Sequence, residues 1–221
     1  MKLGIDLDDV TAVCAVPYLR KFAERFGVEL PDEHEIGWHL LDESPVRPAD
    51  RDRFRLELYD SPFFGELDVY PECPAVLGRL AEAGHELYFI TARAEKRRVI
   101  TETWLQRQGL LRHAKGVHLK PRGDFVPPVP GRHLAGDPPG GGAGAPPQGR
   151  YDARGSAIYK WRLACDLGLD AFCEDDETIA KTLAEGDIKV YLFDRVWNRG
   201  LEHANITRVK DWDELAAKVG V

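Results

Sequence analysis

The chain has 221 residues, 43% hydrophobic and 30% charged, enough for one large domain or one domain with a substantial insert. Its formal net charge of -7 and pI of about 5.5 argue against long nucleic acid or an anionic membrane surface as partner, while one or two local cations would suffice for a small anion. No apolar run approaches membrane-spanning length, the opening "MKLGIDLDD" has no signal-peptide core ahead of its acidic residues, and the four cysteines form no CxxC pair, so a cytoplasmic protein with reduced thiols is expected.

The elements follow in order. Residues 2–7 read as a short buried strand that runs into Asp6, Asp8 and Asp9. Residues 14–26 carry apolar side chains at helical spacing and stop at Gly27. Helical stretches are predicted near 32–41 and 48–59, followed by a turn-rich aromatic link over 61–74. A helix at 74–84 leads into a second buried strand, "HELYFITAR" at 85–93, and an amphipathic helix at 95–109. A third strand is predicted at 116–119. Residues 121–150 are crowded with Pro and Gly, cannot build a packed core and read as a loop. They do not form a phosphate-cradling P-loop, because no Gly-Lys-Ser/Thr follows. A helix at 155–167, an apolar strand at 170–173, a helix over "DETIAKTLAEG", a strand at 189–194 and a final strand and helix complete the chain. Strands alternating with helices predict an α/β fold with a mainly parallel sheet.

Parallel sheets bind ligands beyond the carboxyl ends of their strands. At those ends lie Asp6, Asp8 and Asp9; then Thr91, Ala92 and Arg93; then Glu174, Asp175 and Asp176, with Lys160 on the preceding helix. Carboxylates this close stay ionised together only with a cation or bulk water among them. Each piece has a plainer reading alone. "DLDD" could be a solvated turn, "EDDE" a helix cap with favourable dipole charge, Thr91 a turn residue and Lys160 a surface lysine. A calcium EF-hand starting at Asp6 fails, because its sixth and twelfth positions are Thr11 and Pro17 rather than Gly and Glu. A DxD metal site of a nucleotide-sugar transferase stays open.

Taken together, the motifs resemble the haloacid dehalogenase-like phosphohydrolase superfamily. The matching features are the strand ending in Asp6-Leu7-Asp8-Asp9-Val10, the strand "YFITAR", Lys160 ahead of the fourth strand, and "FCEDD" after it. "SPFFGELDVYPE" and "YLFDRVWNRG" are similar to the 5'(3')-deoxyribonucleotidase-like branch. Many relatives carry Gly where this chain has Asp9. The resemblance implies a Rossmann-like core at 1–12 and 74–221, with a small helical cap at 13–73 inserted after the first strand and the Pro/Gly loop at 121–154 within the core.

It also implies roles. Asp6 would be the nucleophile that becomes an aspartyl phosphate, and Asp8 the acid/base. Magnesium would be held by Asp6, the Asp8 backbone carbonyl and Asp175 or Asp176. Thr91 with Ala92 would meet phosphoryl oxygens, and Lys160 would balance charge on them. Arg93 is an expected substrate contact, and so is Phe64, one of two aromatics in a turn rather than at helical spacing. The cap also carries Tyr18, Phe22, Trp38, His39, Tyr59 and Phe63, whose faces could stack on a nucleobase; of these, Phe22 and Tyr59 read as cap core. The expected substrate is a small phosphomonoester, a nucleoside monophosphate first, with the protein a monomer or homodimer. The alternatives are a phosphatase of another small metabolite and a non-catalytic phospholigand-binding protein on the same scaffold; the presence of both motif-one aspartates weighs against the latter.

Overall fold

The structure, a computed structural model, describes residues 1–121 and 152–221. Six parallel strands form one sheet: β1 (Lys2–Ile5), β2 (Glu86–Ala94), β3 (Ala114–Lys120), β4 (Ala171–Glu174), β5 (Lys189–Phe193) and β6 (Ile206–Val209). Their order is β3-β2-β1-β4-β5-β6. The chain therefore builds outward from β1 in one direction, returns, and builds outward in the other. β1 sits between β2 and β4, with Ile5 opposite Phe89 on one side and Cys173 on the other. That register brings the residues just past Ile5, Ile90 and Cys173 to one edge, at the reversal point where an open α/β sheet leaves room for a ligand.

Helices cover both faces. Leu3 and Ile5 point into a core shared with α1 (Ala15–Phe26), α3 (Pro48–Asp60), α4 (Cys73–Glu82), α5 (Arg98–Arg107) and α8 (Trp212–Val219). On the other face, Phe172, Val190 and Leu192 pack with α6 (Ala153–Leu167) and α7 (Glu177–Glu185). Gly4 is required between them. A Cβ there would meet the Phe172 ring at 2.5 Å and Leu169 at 2.8 Å, so only hydrogen lets that ring lie flat on β1.

The insert between β1 and α4 is helical. In α1, Ala15, Tyr18, Leu19 and Phe22 are buried at the i, i+3, i+4, i+7 positions of one face, and Gly27 ends the helix at φ 66° with its N–H on Ala23 O. Tyr18 makes edge contacts with Trp38, Phe54 and Phe63. The single helix expected near 32–41 is instead a 3-10 turn at Glu33–Glu35 and a short α2 (His39–Glu43). Ile36 between them is extended, at φ -68° and ψ 123°. The reason is tertiary. Gly37 passes so close to the loop after β5 that a Cβ would meet Val196 Cγ2 at 2.5 Å, and a continuous helix could not make that approach. The segment at 121–154 falls almost wholly outside the described residues; only Pro121 and the start of α6 with its cap, Asp152, are described, and the Asp152 carboxylate accepts the Gly155 N–H.

Candidate active site

Beyond β1 the chain turns back on itself. Thr11 N and Ala12 N both donate to Leu7 O, Asp9 N donates to Ala12 O at 2.8 Å, and Thr11 Oγ1 donates to Asp6 O at 2.7 Å. These bonds leave the three aspartates pointing to different partners. Asp9 takes φ 59°, the left-handed region that favours glycine and tolerates Asp. Its Oδ1 accepts the N–H groups of Cys14 and Ala15 and so caps the start of α1, while Arg195 donates twice to its carbonyl oxygen. Asp9 thus holds the loop and leaves the site to its neighbours.

Asp6 is buried at the tip of β1. Lys160 Nζ, fully buried on α6, lies 2.7 Å from Asp6 Oδ1 and 2.8 Å from Glu174 Oε2. Asp6, Glu174 and Asp175 each offer an oxygen within 4.8 Å of the others. The other Glu174 oxygen accepts the N–H groups of Asp175 and Asp176. Asp175 Oδ2 accepts Trp197 Nε1–H at 3.0 Å. Asp176, expected among the metal ligands, is turned to the helix start, where its Oδ1 accepts the Ile179 N–H and caps α7. The cluster therefore contains Glu174, the last residue of β4, as the neighbour of Asp175. The signal for Glu174 was present in the chain: it ends an apolar strand just as Asp6 does.

Asp8 faces β2. Arg93, buried to 2% exposure, grips its carboxylate with both arms of the guanidinium, Nη2–Oδ1 at 2.6 Å and Nε–Oδ2 at 3.0 Å. Such a planar fork fixes direction as well as charge. Arg93 also donates to Phe64 O, and its guanidinium lies 5.0 Å from the Phe64 ring centroid and 5.6 Å from that of Trp104. Phe64, expected to face substrate, is buried beneath Arg93 and packed on Tyr59 and Phe63. The stacking surface it offers is used by the arginine. Thr91 Oγ1 accepts the Arg93 N–H at 3.2 Å, leaving the hydroxyl proton for another acceptor. Ala92 lies between them on β2. Tyr59, expected in the insert core, is half-buried and packs against that core, and its hydroxyl accepts the Ala94 N–H at 2.6 Å.

The electrostatics follow from burial. Desolvation raises Asp6, opposed by Lys160; it raises Asp175 well above the ordinary range; and it pushes Glu174 up to about 8 and Asp9 up to about 7. Burial works against the charge of Lys160, but Asp6 and Glu174 outweigh it and hold the ammonium above its usual value. Three neighbouring carboxylates, two of them against Lys160, leave a deficit of two positive charges when all are ionised. The donors are hard oxygens with no thiolate or imidazole in the cluster, so the site fits a divalent cation of the magnesium or calcium kind.

A pH dependence follows. Glu174 and Asp9 ordinarily titrate near 4.5 and 3.8. Their folded values are raised, so between those limits and about 8 the folded chain binds more protons than the unfolded chain. Their contribution to stability is complete below the unfolded values and is lost as pH rises through the folded ones. Melts in chelator from pH 5 to about 8.5 should therefore show a falling Tm, and saturating magnesium should flatten the fall. A Tm that climbs across this window in chelator would contradict the assignment.

The family model "5' nucleotidase, deoxy (Pyrimidine), cytosolic type C protein" matches residues 1–120. A protein of Oceanobacillus iheyensis named "Putative nucleotidase" is 24% identical over 225 residues, covering 97% of each chain. Among solved structures, a haloacid dehalogenase-like family hydrolase of Streptococcus pneumoniae superposes with a TM-score of 0.58 at 14% identity, covering 99% of this chain and 97% of that one. Protein Tyrosine Kinase A of Mycobacterium tuberculosis gives 0.65 at 16% identity, covering 100% and 98%. At these identities the two structures speak for the fold alone. No helix among the described residues is long and apolar enough to cross a membrane.

Proposed function

The chain belongs to the 5' nucleotidase, deoxy (Pyrimidine), cytosolic type C family and is a phosphoric monoester hydrolase of the haloacid dehalogenase-like type; from that premise we propose that it hydrolyses a nucleoside monophosphate with magnesium through an aspartyl phosphate on Asp6. The observation that carries this reading is the meeting of Asp6, Glu174 and Asp175 at the reversal point of the sheet, with buried Lys160 against the first two. Asp6 and Asp175, with the Asp8 carbonyl and Glu174, would hold the magnesium, which would supply positive charge for the phosphoryl oxygens.

The chain's own residues do the rest. Asp6 attacks phosphorus as the bond to the leaving alcohol oxygen breaks. Thr91, through its hydroxyl proton, and the Ala92 amide orient the phosphoryl group, and Lys160 balances charge on it and on Asp6. Asp8, two residues beyond the nucleophile, is the acid/base of this reading: once one of its oxygens leaves the Arg93 fork, it gives a proton to the leaving oxygen and then takes one from the water that hydrolyses the acyl phosphate. Positioning and charge stabilisation dominate phosphoryl transfer, and this set provides both.

The helical insert at 13–73 acts as the substrate-selecting cap in this reading. Trp38, half-buried, brings an aromatic ring to 6.3 Å from Trp197, whose indole N–H is on Asp175. A nucleobase has a flat face for such surfaces, whereas a sugar phosphate does not. The test is phosphate release from nucleoside 5'- and 3'-monophosphates and from sugar phosphates, each with magnesium and with chelator. The best nucleotide should exceed every sugar phosphate by about tenfold or more in kcat/KM, in proportion to about 1.4 kcal/mol of aromatic contact, and chelator should abolish release. A preferred sugar phosphate would favour the alternative of another small metabolite. No release from any monophosphate would sink the catalytic reading.

A further inference from the structure

The geometry points to Trp197 as a positioning residue that aims Asp175 at the metal and is itself seated by the helical insert. The inference rests on the metal reading above and goes beyond it. Trp197 lies in the 3-10 turn Val196–Asn198 after β5, outside the four motifs that carry the chemistry. Its indole Nε1–H donates to Asp175 Oδ2 at 3.0 Å. That bond gives one Asp175 oxygen a neutral donor and fixes the direction of the carboxylate. An anionic ligand held by a fixed donor keeps its direction, and such supporting bonds are worth 10–100-fold in metal affinity as a rule, on the order of 2 kcal/mol.

The turn that presents Trp197 is rigid. Asn198 Nδ2 donates to Asp175 O at 2.7 Å and to Phe193 O at 2.8 Å, so the turn and the metal-site loop share one buried amide. Arg208 on β6 donates to Asn198 Oδ1 and Asn198 O. The indole has its other partner in the insert. Trp38 lies 6.3 Å away at a tilt of 59°, and Trp38 packs in turn on Tyr18 of α1 at 5.1 Å. Gly37 beside it closes onto Val196 with no space for a side chain. A continuous set of contacts thus runs from α1 through Trp38 and Trp197 to Asp175. Displacing the insert from this turn removes the support of the indole, and the indole is what holds the Asp175 carboxylate.

Binding of Mn2+ to the full chain, read as free ion by electron paramagnetic resonance, tests this without turnover. Trp197→Phe keeps a ring and loses the N–H, and should weaken Mn2+ binding about tenfold. Trp197 is only half-buried, so the metal-free Tm should stay within a few degrees of the wild type. Trp197→His restores an aromatic N–H donor and should recover part of the affinity. Trp38→Ala leaves the hydrogen bond but removes its backing, and should weaken binding by about threefold. Asp175→Asn separates the two levels of the argument. If Asp175→Asn loses Mn2+ binding and Trp197→Phe retains it at wild-type strength, the positioning role is wrong and the metal reading stands. If neither substitution changes affinity, the metal reading fails and takes this inference with it.

Discussion

Asp6→Asn is expected to lower phosphate release by about 10⁴-fold or more, with the fold intact. The side chain is nearly unchanged in shape, so the packing at the tip of β1 survives. What is lost is the anionic oxygen that attacks phosphorus, and no neighbouring group can replace it: Asp8 is engaged by Arg93, and Glu174 by Lys160 and two backbone amides. Removing a covalent nucleophile has effects of this size because the remaining groups act only around it. Stability should move the other way. Burial raises Asp6, so its ionised form costs free energy in the folded chain. An uncharged amide avoids that cost, and the metal-free Tm of Asp6→Asn should equal or exceed the wild-type value. Turnover within tenfold of wild type, in a preparation free of the parent protein, would end the nucleophile assignment.

Lys160→Met is expected to have the largest effect on stability. Lys160 is fully buried between Asp6 and Glu174, 2.7 and 2.8 Å from them. Methionine fills similar space without charge. Two buried carboxylates then lose their cation, and breaking such a pair from one side costs about 3–5 kcal/mol. For a chain of this size that is a fall of about 10 °C in the metal-free Tm. Magnesium should restore part of it, because a divalent ion among Asp6, Glu174 and Asp175 supplies the missing charge. Turnover should fall too, since Lys160 also balances the phosphoryl group. Differential scanning fluorimetry with chelator and with magnesium measures both shifts. An unchanged metal-free Tm would mean that Lys160 does not hold the two carboxylates together.

The local pattern of the chain was enough for the parallel α/β layout and for much of the site. Apolar runs of strand length ending in Asp6, Thr91 and Glu174, separated by helical periodicity, define where strands stop, and a strand's end is where its polar residues must collect. Lys160 on the helix before β4 follows from the same order. These features are readable because they depend on spacing within about ten residues. The pairings are of another kind. Arg93 meets Asp8 across 85 positions, and Trp197 meets Asp175 across 22. Both depend on which strands lie side by side, and the order β3-β2-β1-β4-β5-β6 is settled only when every strand has buried its faces. The partition of "EDD" also belongs to the tertiary structure. Glu174 faces Lys160 while Asp176 caps α7, because β4 continues one residue farther than its apolar run and the helix then needs an acceptor for its first N–H groups. Phe64 went under Arg93 for a similar reason: a buried guanidinium needs an apolar platform beside its carboxylate, and only the packed insert decides which aromatic supplies it.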